Sequence, residues 1–183
     1  MPEAAVSKLL VAYSTRYGST RVIAEAVASV LEQKGAQVDV LSVEEVESLA
    51  GYDAAVIGAP VHVGRWVREA RDFAAGFAGE LRAMPVAVFA AGIALARDPD
   101  KSDELATAWM KGVRNLLQPV AAAAFAGELD TSKLSVVWKI LLAVIRAPRG
   151  DYRDWDKIRT WADSIAAPLG IEGASGESSG QRL

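Results

Sequence analysis

The sequence contains no cysteine and only one histidine, His62. The missing thiols exclude disulfide bonds, thiolate catalysis, and zinc or iron–sulfur sites with cysteine ligands. A single histidine also argues against a zinc site built from protein ligands, because such sites combine several histidine, cysteine or carboxylate groups. Thiol and metal chemistry are therefore not expected from this chain.

The chain also has no apolar run long enough to span a membrane. The longest, residues 134–145, is interrupted by Lys139, and a spanning helix needs about 20 residues. The first residues, MPEAAVSKLL, lack the basic region and long apolar stretch of a signal peptide. A net charge of −3 gives no bulk attraction for nucleic acid. We expect a cytoplasmic protein of one domain, since its 183 residues are 51% hydrophobic and 23% charged.

Short apolar runs alternate with helical patterns along the chain. Strands are predicted over 9–13, 38–41, 54–58, 86–91 and 120–127. Helices are predicted before Gly35, over 66–78, over 100–117, and after Asp154 as the N-cap. Continuous apolar strands separated by helices are typical of a parallel sheet covered on both faces, so we expect a doubly wound α/β fold with five parallel strands.

The domain boundaries follow from the same pattern. One domain is expected over 1–168, with an insertion over 130–152 between the fifth strand and the last helix. The residues from 169 to 183 include a stretch rich in Gly, Ser and Glu, and are expected to form a flexible tail.

The polar segment between the first strand and the first helix is suited to binding a phosphate. It consists of Ser14, Thr15, Arg16, Tyr17, Gly18, Ser19 and Thr20. A turn into a helix N-terminus offers backbone N–H groups, hydroxyls add further donors, and a glycine lets the backbone close around the ligand. The chain lacks the P-loop motif G-x-x-x-x-G-K-[ST] and the dinucleotide motif G-x-G-x-x-G. A plain strand-to-helix turn stays open as the alternative.

Ligands of doubly wound folds bind at the carboxyl ends of the strands, where the strand order reverses. We therefore expect loops 14–20, 59–66 and 92–99 to converge into one site. Within the second loop, His62 is either a proton donor or a histidine that contributes only shape. Trp66 either flanks a ligand or packs at the start of a helix.

Arginines at positions 65, 68 and 71 lie close to the second loop. Such charges either form a solvated face that pairs with nearby carboxylates, or hold anionic groups of a substrate through bidentate contacts. The sequence leaves both interpretations open.

Three stretches of the chain, YSTRYGST, AVIGAPVHVGRW and GDYRDWDKIRTWADSIA, resemble the flavodoxin-like family. The resemblance implies a strand order of 2-1-3-4-5 and FMN as the cofactor. Thr15, Gly18 and Thr20 match the family's T/S-x-T-G-x-T loop, which holds the FMN phosphate, while Tyr17 stands where electron-carrying flavodoxins have threonine. The resemblance further implies two segments along the flavin ring, Pro60, Val61, His62, Val63 and Gly64 on one side and Ala91, Gly92 and Ile93 on the other.

The same stretches and the insertion resemble the branch that contains menaquinone-dependent protoporphyrinogen IX dehydrogenase. This implies an FMN-dependent oxidoreductase that passes electrons from a reduced, porphyrinogen-like substrate through FMN to a quinone, without a separate catalytic residue. A non-enzymatic flavodoxin electron carrier stays open, although its docking surface should be strongly acidic. A flavin-free receiver module also stays open, although it should have acidic residues where this chain has Ser14 and Thr15.

The insertion carries basic residues and no acidic residue between positions 133 and 150. The basic residues are Lys133, Lys139, Arg146 and Arg149. Apolar and basic character together favour contact with a membrane surface, or with a quinone delivered from one. The alternative is a helix that packs on the domain and points its charges to water. Peripheral contact with the inner face of the membrane through 133–149 stays open beside that alternative. No nucleic-acid partner is expected, and the oligomeric state stays open.

Overall fold

Strands and helices alternate along the chain in the computed structural model, which describes residues 7–92, 95, 99–129 and 150–171. The strands are β1 (Lys8–Tyr13), β2 (Gln37–Ser42), β3 (Ala54–His62), β4 (Arg65–Trp66), β5 (Val86–Gly92), β6 (Ala121–Ala126), β7 (Glu128–Leu129) and β8 (Gly150–Asp151). The helices are α1 (Ser19–Gln33), α2 (Arg68–Gly76), α3 (Ala78–Leu81), α4 (Ser102–Trp109), α5 (Lys111–Leu117) and α6 (Trp155–Ile165). A 3-10 turn over Pro99–Lys101 precedes α4.

The main sheet contains five parallel strands in the order β2-β1-β3-β5-β6. The short strand β4 pairs antiparallel with β3, so β5 and β6 are the fourth and fifth strands of the parallel set. The predicted order 2-1-3-4-5 is therefore confirmed. The direction of winding reverses between β1 and β3, and ligands of such folds bind beside the carboxyl ends of these strands.

Both faces of the sheet are covered, which explains the continuous apolar runs. In β1, Leu9 and Val11 belong to a buried cluster that includes side chains of α1 and α6. Leu10 and Ala12 belong to a second cluster, which includes side chains of α2, α4 and α5. Neighbouring side chains of a strand point to opposite faces, so a strand that is buried on both sides shows no polar alternation.

The predicted end of α1 and the predicted start of α6 are confirmed, and each has a capping residue. Gly35 follows α1 with φ of 96°, and the N–H of Ala36 donates to the carbonyl of Leu31 at 3.2 Å, as in the left-handed glycine cap. Asp154 caps α6 by accepting a hydrogen bond from the N–H of Lys157 at 3.0 Å. Each cap satisfies backbone groups that the helix itself leaves unpaired.

Two predicted helices differ from the structure. In place of the helix predicted over 66–78, the structure has α2 and α3. The first of these begins only at Arg68, because Trp66 lies in β4 and pairs with β3. The helix predicted over 100–117 is divided at Met110, between α4 and α5. Met110, the residue between these two helices, is fully buried in the core.

The two short strands on either side of residues 130–149 pair with each other. Glu128 lies opposite Asp151 in the antiparallel pair of β7 and β8. Arg153 donates two guanidinium hydrogen bonds to Asp151, at 2.7 and 2.6 Å, and its guanidinium lies 4.8 Å from the ring centre of Trp155. The hydrogen bonds from Arg153 hold the pKa of Asp151 below its ordinary value.

Parts of the predicted insertion and tail lie outside the described residues. These are 130–149, which include the predicted membrane contact over 133–149, and 172–183. Leu169 and Ile171 are buried in the cluster beneath α1 and α6. The packed core thus includes residues beyond position 168, where the domain was expected to end.

A close approach between two neighbouring strands requires glycine in β3. Gly58 pairs with Phe89 of β5, and a Cβ placed on Gly58 would lie 2.0 Å from the ring of Phe89. That ring is fully buried and lies 5.9 Å from the ring of Phe125 and 6.0 Å from that of Trp161. The aromatic packing of the sheet face therefore depends on the missing side chain at position 58.

We expect Gly58→Ala to destabilise the fold by about 1 to 3 kcal/mol, the range typical of an overpacked core. The reason is that Phe89 has no space into which it can move. Gly112 in α5 is the matched control, because a Cβ there would meet nothing within 4 Å. Gly112→Ala should be neutral or stabilise by up to about 1 kcal/mol. Urea unfolding measures both, and equal stability of the two variants would contradict the packing argument.

At the opposite end of the sheet, a polar contact joins β1, β2 and the segment before β3. The Tyr52 hydroxyl donates to Asp39 Oδ2 at 2.8 Å, and Lys8 Nζ lies 3.1 Å from the same oxygen. Burial, followed by the hydrogen bond to Asp39, raises the pKa of Tyr52 to about 12. Hydrogen bonds from Tyr52 and Lys8 keep the pKa of Asp39 below its ordinary value.

The shift at Tyr52 predicts a loss of stability in strong alkali. The folded state holds the phenol proton more tightly than the unfolded state, so its contribution is complete below pH 10 and is lost between 10 and about 12. The free energy of unfolding of the wild type should therefore fall more steeply in this interval than that of Tyr52→Phe. Parallel pH profiles for the two proteins would exclude the contact as the cause.

Candidate functional site

The first two predicted loops and Gly92, at the start of the third, lie at the carboxyl edge of the sheet, because β1, β3 and β5 are neighbours. The N–H of Ser14 donates to the carbonyl of Gly58 at 2.9 Å, which ties the first loop to β3. The N–H of Gly127, just after β6, donates to the carbonyl of Gly92 at 3.4 Å. A Cβ on Gly127 would also lie 3.8 Å from Ser19 Oγ. The residue that leads into the insertion therefore lies beside the first loop.

The first loop has the geometry of an anion site. Gly18 is the N-cap of α1 with φ of 93°, and its N–H donates to Thr15 Oγ1 at 2.9 Å. Its carbonyl accepts the N–H of Val22 at 3.3 Å. No acidic residue lies in the first turn of α1, so the positive end of the helix dipole keeps its attraction for an anion.

The loop residues differ in exposure. Ser14 and Thr20 are buried, Thr15, Gly18 and Ser19 are half-buried, and Arg16 and Tyr17 are exposed. The hydroxyl of Thr15 accepts the N–H of Gly18, so its own hydrogen can be donated to a ligand. The N-cap residue of α1 is a glycine, so no side chain of the N-cap residue closes the first turn of the helix.

The second loop is a β-hairpin, which the sequence analysis missed. Strand β3, predicted to end at residue 58, continues to His62 and pairs with β4, with Val61 opposite Trp66 and His62 opposite Arg65. Val63 and Gly64 form the turn with φ of 50° and 70°. Two positive values are characteristic of a type I′ hairpin turn, which follows the twist of its strands. An Asn-Gly pair would have signalled this turn, and Val-Gly does not.

The hairpin places its residues on two faces. Trp66 is only 1% exposed and belongs to the core cluster of α2, α4 and α5, so it packs and does not flank an open ligand site. His62 and Arg65 are exposed on the other face. Within the ranges that the structure describes, no group of three His, Asp or Glu side chains could hold a metal ion.

Trp66 also has an unpaired donor. Its Nε1 is buried without a hydrogen-bond partner, the one such side-chain atom found among the residues that can be described. A buried N–H without an acceptor costs free energy, so burial of Trp66 in the core is not fully compensated at this atom.

The third loop is described only at its start. Ala91 and Gly92 are buried at the end of β5, whereas Ile93 lies outside the described residues. A Cβ on Gly92 would lie 2.7 Å from the indole of Trp109. Trp109 belongs to the buried cluster on one face of the sheet. Gly92 is therefore required by the packing of Trp109 against β5.

Sequence analysis also missed a small cleft beside the first loop. The cleft, of about 90 Å³, is lined by Ser14, Thr15, Arg16, Ser42, Val43, Glu44 and Glu69. Its members come from the ends of β1 and β2 and the start of α2, so only the adjacency of these strands could have signalled it. Of the nearby arginines, Arg68 pairs with Asp72 at 3.1 Å on the surface, as a solvated helix face would.

In the described parts of the chain, every helix is too short or too polar to cross a bilayer.

Comparison with known proteins adds a family to this geometry. The flavodoxin domain family matches residues 10–156. The chain is 28% identical over 172 residues to protoporphyrinogen IX dehydrogenase (quinone) of Escherichia coli K12, covering 87% of this chain and 94% of that protein. A protein of the same name from Leishmania major is 27% identical over 179 residues, covering 90% and 77%.

Solved structures agree on the fold. The WrbA-like flavodoxin of Agrobacterium tumefaciens superposes with a TM-score of 0.57 at 18% identity, covering 91% of this chain and 99% of that one. At this identity the likeness concerns the fold alone. The family match supports more, because it extends from β1 into the start of α6 and includes all three loops of the site. It confirms the predicted flavodoxin-like fold and the prediction of FMN as the cofactor, and we conclude that the chain belongs to the flavodoxin domain family.

Proposed function

We propose that this chain is an FMN-dependent oxidoreductase that passes electrons from a reduced, porphyrinogen-like substrate to a quinone. The observation that carries the proposal is the match to relatives named protoporphyrinogen IX dehydrogenase (quinone) over 87% and 90% of this chain. When bound, FMN would supply the reversible uptake of two electrons, and the protein would supply binding, orientation and control of potential.

The phosphate end of FMN is assigned to the first loop. The N–H groups of the first turn of α1 point toward this loop, and helix N-termini favour phosphate. Thr15 would donate its hydroxyl hydrogen, since its oxygen already accepts the N–H of Gly18. Further donors are the remaining residues predicted for this loop, Ser14, Arg16, Tyr17, Ser19 and Thr20.

The ring end is assigned to the hairpin and the end of β5. The backbone of residues 60–64 would border the ring on one side, and Ala91, Gly92 and Ile93 on the other. The positions of these segments at the carboxyl ends of β3 and β5 support the assignment. No side chain of this set needs to act as an acid or base, and His62 is proposed to contribute shape.

Charge near the site supports an enzyme over an electron carrier. Arg16, Arg65 and Arg71 are exposed around the two loops, and guanidinium groups suit the carboxylates of a porphyrinogen-like substrate. A carrier would need an acidic docking surface there. Contact with the inner face of a membrane through 133–149 is part of the same proposal, because a quinone is an apolar molecule that a membrane would supply.

The phosphate assignment predicts different results for two glycines at the ends of α1. Gly18 and Gly35 have φ of 93° and 96°, and a Cβ at either would meet nothing within 4 Å. Alanine at each position should cost about 1 kcal/mol of stability through backbone strain. Only Gly18→Ala should also weaken FMN binding, by about tenfold or more, as measured by quenching of flavin fluorescence.

Thr15→Val supplies a second arm, because it removes the acceptor of the Gly18 N–H without changing the shape of the residue. FMN affinity that is equal in Gly18→Ala, Thr15→Val and Gly35→Ala would show that the phosphate lies elsewhere.

An anaerobic assay tests the enzyme itself. The FMN-loaded protein is mixed with protoporphyrinogen IX and menadione, and porphyrin formation is followed by its fluorescence. We expect oxidation that requires both FMN and the quinone and that falls in Gly18→Ala in proportion to lost FMN. Electron exchange with redox proteins, without turnover of porphyrinogen or any quinol, would instead identify an electron carrier.

A further inference from the structure

Val63 has a backbone conformation that its residue type disfavours. It is the first turn residue of the hairpin, with φ of 50°. A β-branched residue with positive φ is an outlier, because its side chain crowds the backbone in the left-handed region. The type I′ turn is served best by Asn, Asp or Gly at this position. Local folding preference therefore does not explain valine here.

Solvent exposure does not explain it either. The side chain of Val63 is 81% exposed, whereas the other exposed large apolar side chains among the described residues range from 38% to 48%. Val63 belongs to neither of the two core clusters. The aliphatic side chain of Val63 is thus exposed to water and held in a strained conformation, and it packs in neither core cluster of the described residues.

The base of the hairpin keeps the tip in this conformation. Trp66 is buried, Val61 packs partly buried against the same cluster, and the N–H of Val67 donates to the carbonyl of Pro60 at 3.2 Å. Strained residues persist where their surroundings fix them, and such residues concentrate at ligand sites. The hairpin therefore holds one exposed valine in a fixed position.

The position of the tip indicates what the valine contacts. The hairpin extends from β3, which lies between β1 and β5, so its tip lies beside the loops that are assigned to FMN above. We propose that the Val63 side chain is a specificity-determining contact for the quinone, and this rests on the function proposed above. The backbone of the hairpin borders the flavin, and the side chain faces the incoming ring.

The chemistry favours the quinone among the possible occupants. A quinone ring is uncharged and largely apolar, and it gains contact with an aliphatic side chain on leaving water. A porphyrinogen-like substrate carries carboxylates, which suit Arg65 and Arg71 better. One isolated aliphatic side chain is also too small an area for a protein partner, whose interfaces bury about 800 Å² on each side.

The test uses Val63→Asn and Val63→Gly in the FMN-loaded protein. Both residues suit positive φ, so the midpoint of thermal unfolding should stay the same or rise. The KM for menadione should rise about fivefold as the apolar contact is lost, by a larger factor than any change in kcat. The dissociation constant of menadione, measured by titration without turnover, should rise by the same factor.

Val120→Asn is the matched control. Val120 is also an exposed valine, at 48%, but it precedes β6 at the amino edge of the sheet, away from the three loops. Menadione binding and KM should be unchanged in this variant.

Three results would overturn the inference. The first is menadione binding that is the same in the wild type and both Val63 variants. The second is weakened FMN affinity in those variants, which would place the side chain on the cofactor. The third is a wild type that binds no menadione. The proposed function fails separately. A wild type that oxidises no porphyrinogen, combined with weaker menadione binding in the Val63 variants, would refute the porphyrinogen reaction and support the quinone contact.

Discussion

The parallel pairing of β1 with β3 is the constraint on which the site depends. The register places Tyr13 opposite Gly58, and the hydrogen bond from the Ser14 N–H to the Gly58 carbonyl, 2.9 Å long, continues the pairing by one residue into the first loop. That bond fixes where the loop leaves the sheet and therefore where α1 begins. The phosphate site proposed for this loop depends on that position, because the N–H groups at the start of α1 would face the phosphate.

Small residues let large ones support this edge. Gly58 lies under Phe89, and Gly92 lies under Trp109, so two positions within the candidate site region are shaped by packing on the sheet faces. Packing alone therefore accounts for glycine at both positions, and a glycine near the end of a strand is not by itself evidence of ligand contact.

The first loop and the hairpin of the candidate site are held in place by different contacts. The first loop is closed by a hydrogen bond between Gly18 and Thr15, and the hairpin is anchored by the buried Trp66. The tip of the hairpin, by contrast, stores strain at Val63. Strain retained at a rigid edge is consistent with a surface that is shaped before its ligand arrives, which lowers the entropic cost of binding.

The sequence by itself determined the alternation of strands and helices and the caps of α1 and α6, because each depends on neighbouring residues in the chain. The strand order followed from the family resemblance, since it depends on pairing between distant segments. Gly35 ends α1 and Asp154 begins α6 through contacts that span only a few positions, and local contacts can be read from local sequence. Only the tertiary structure decided the hairpin, the burial of Trp66 and the cleft between the ends of β1 and β2. These features depend on β3 continuing beyond residue 58 to pair with β4, and on side chains from distant segments meeting at one edge. The valine at the turn gave no local signal, since its conformation is imposed by the pairing on either side of it.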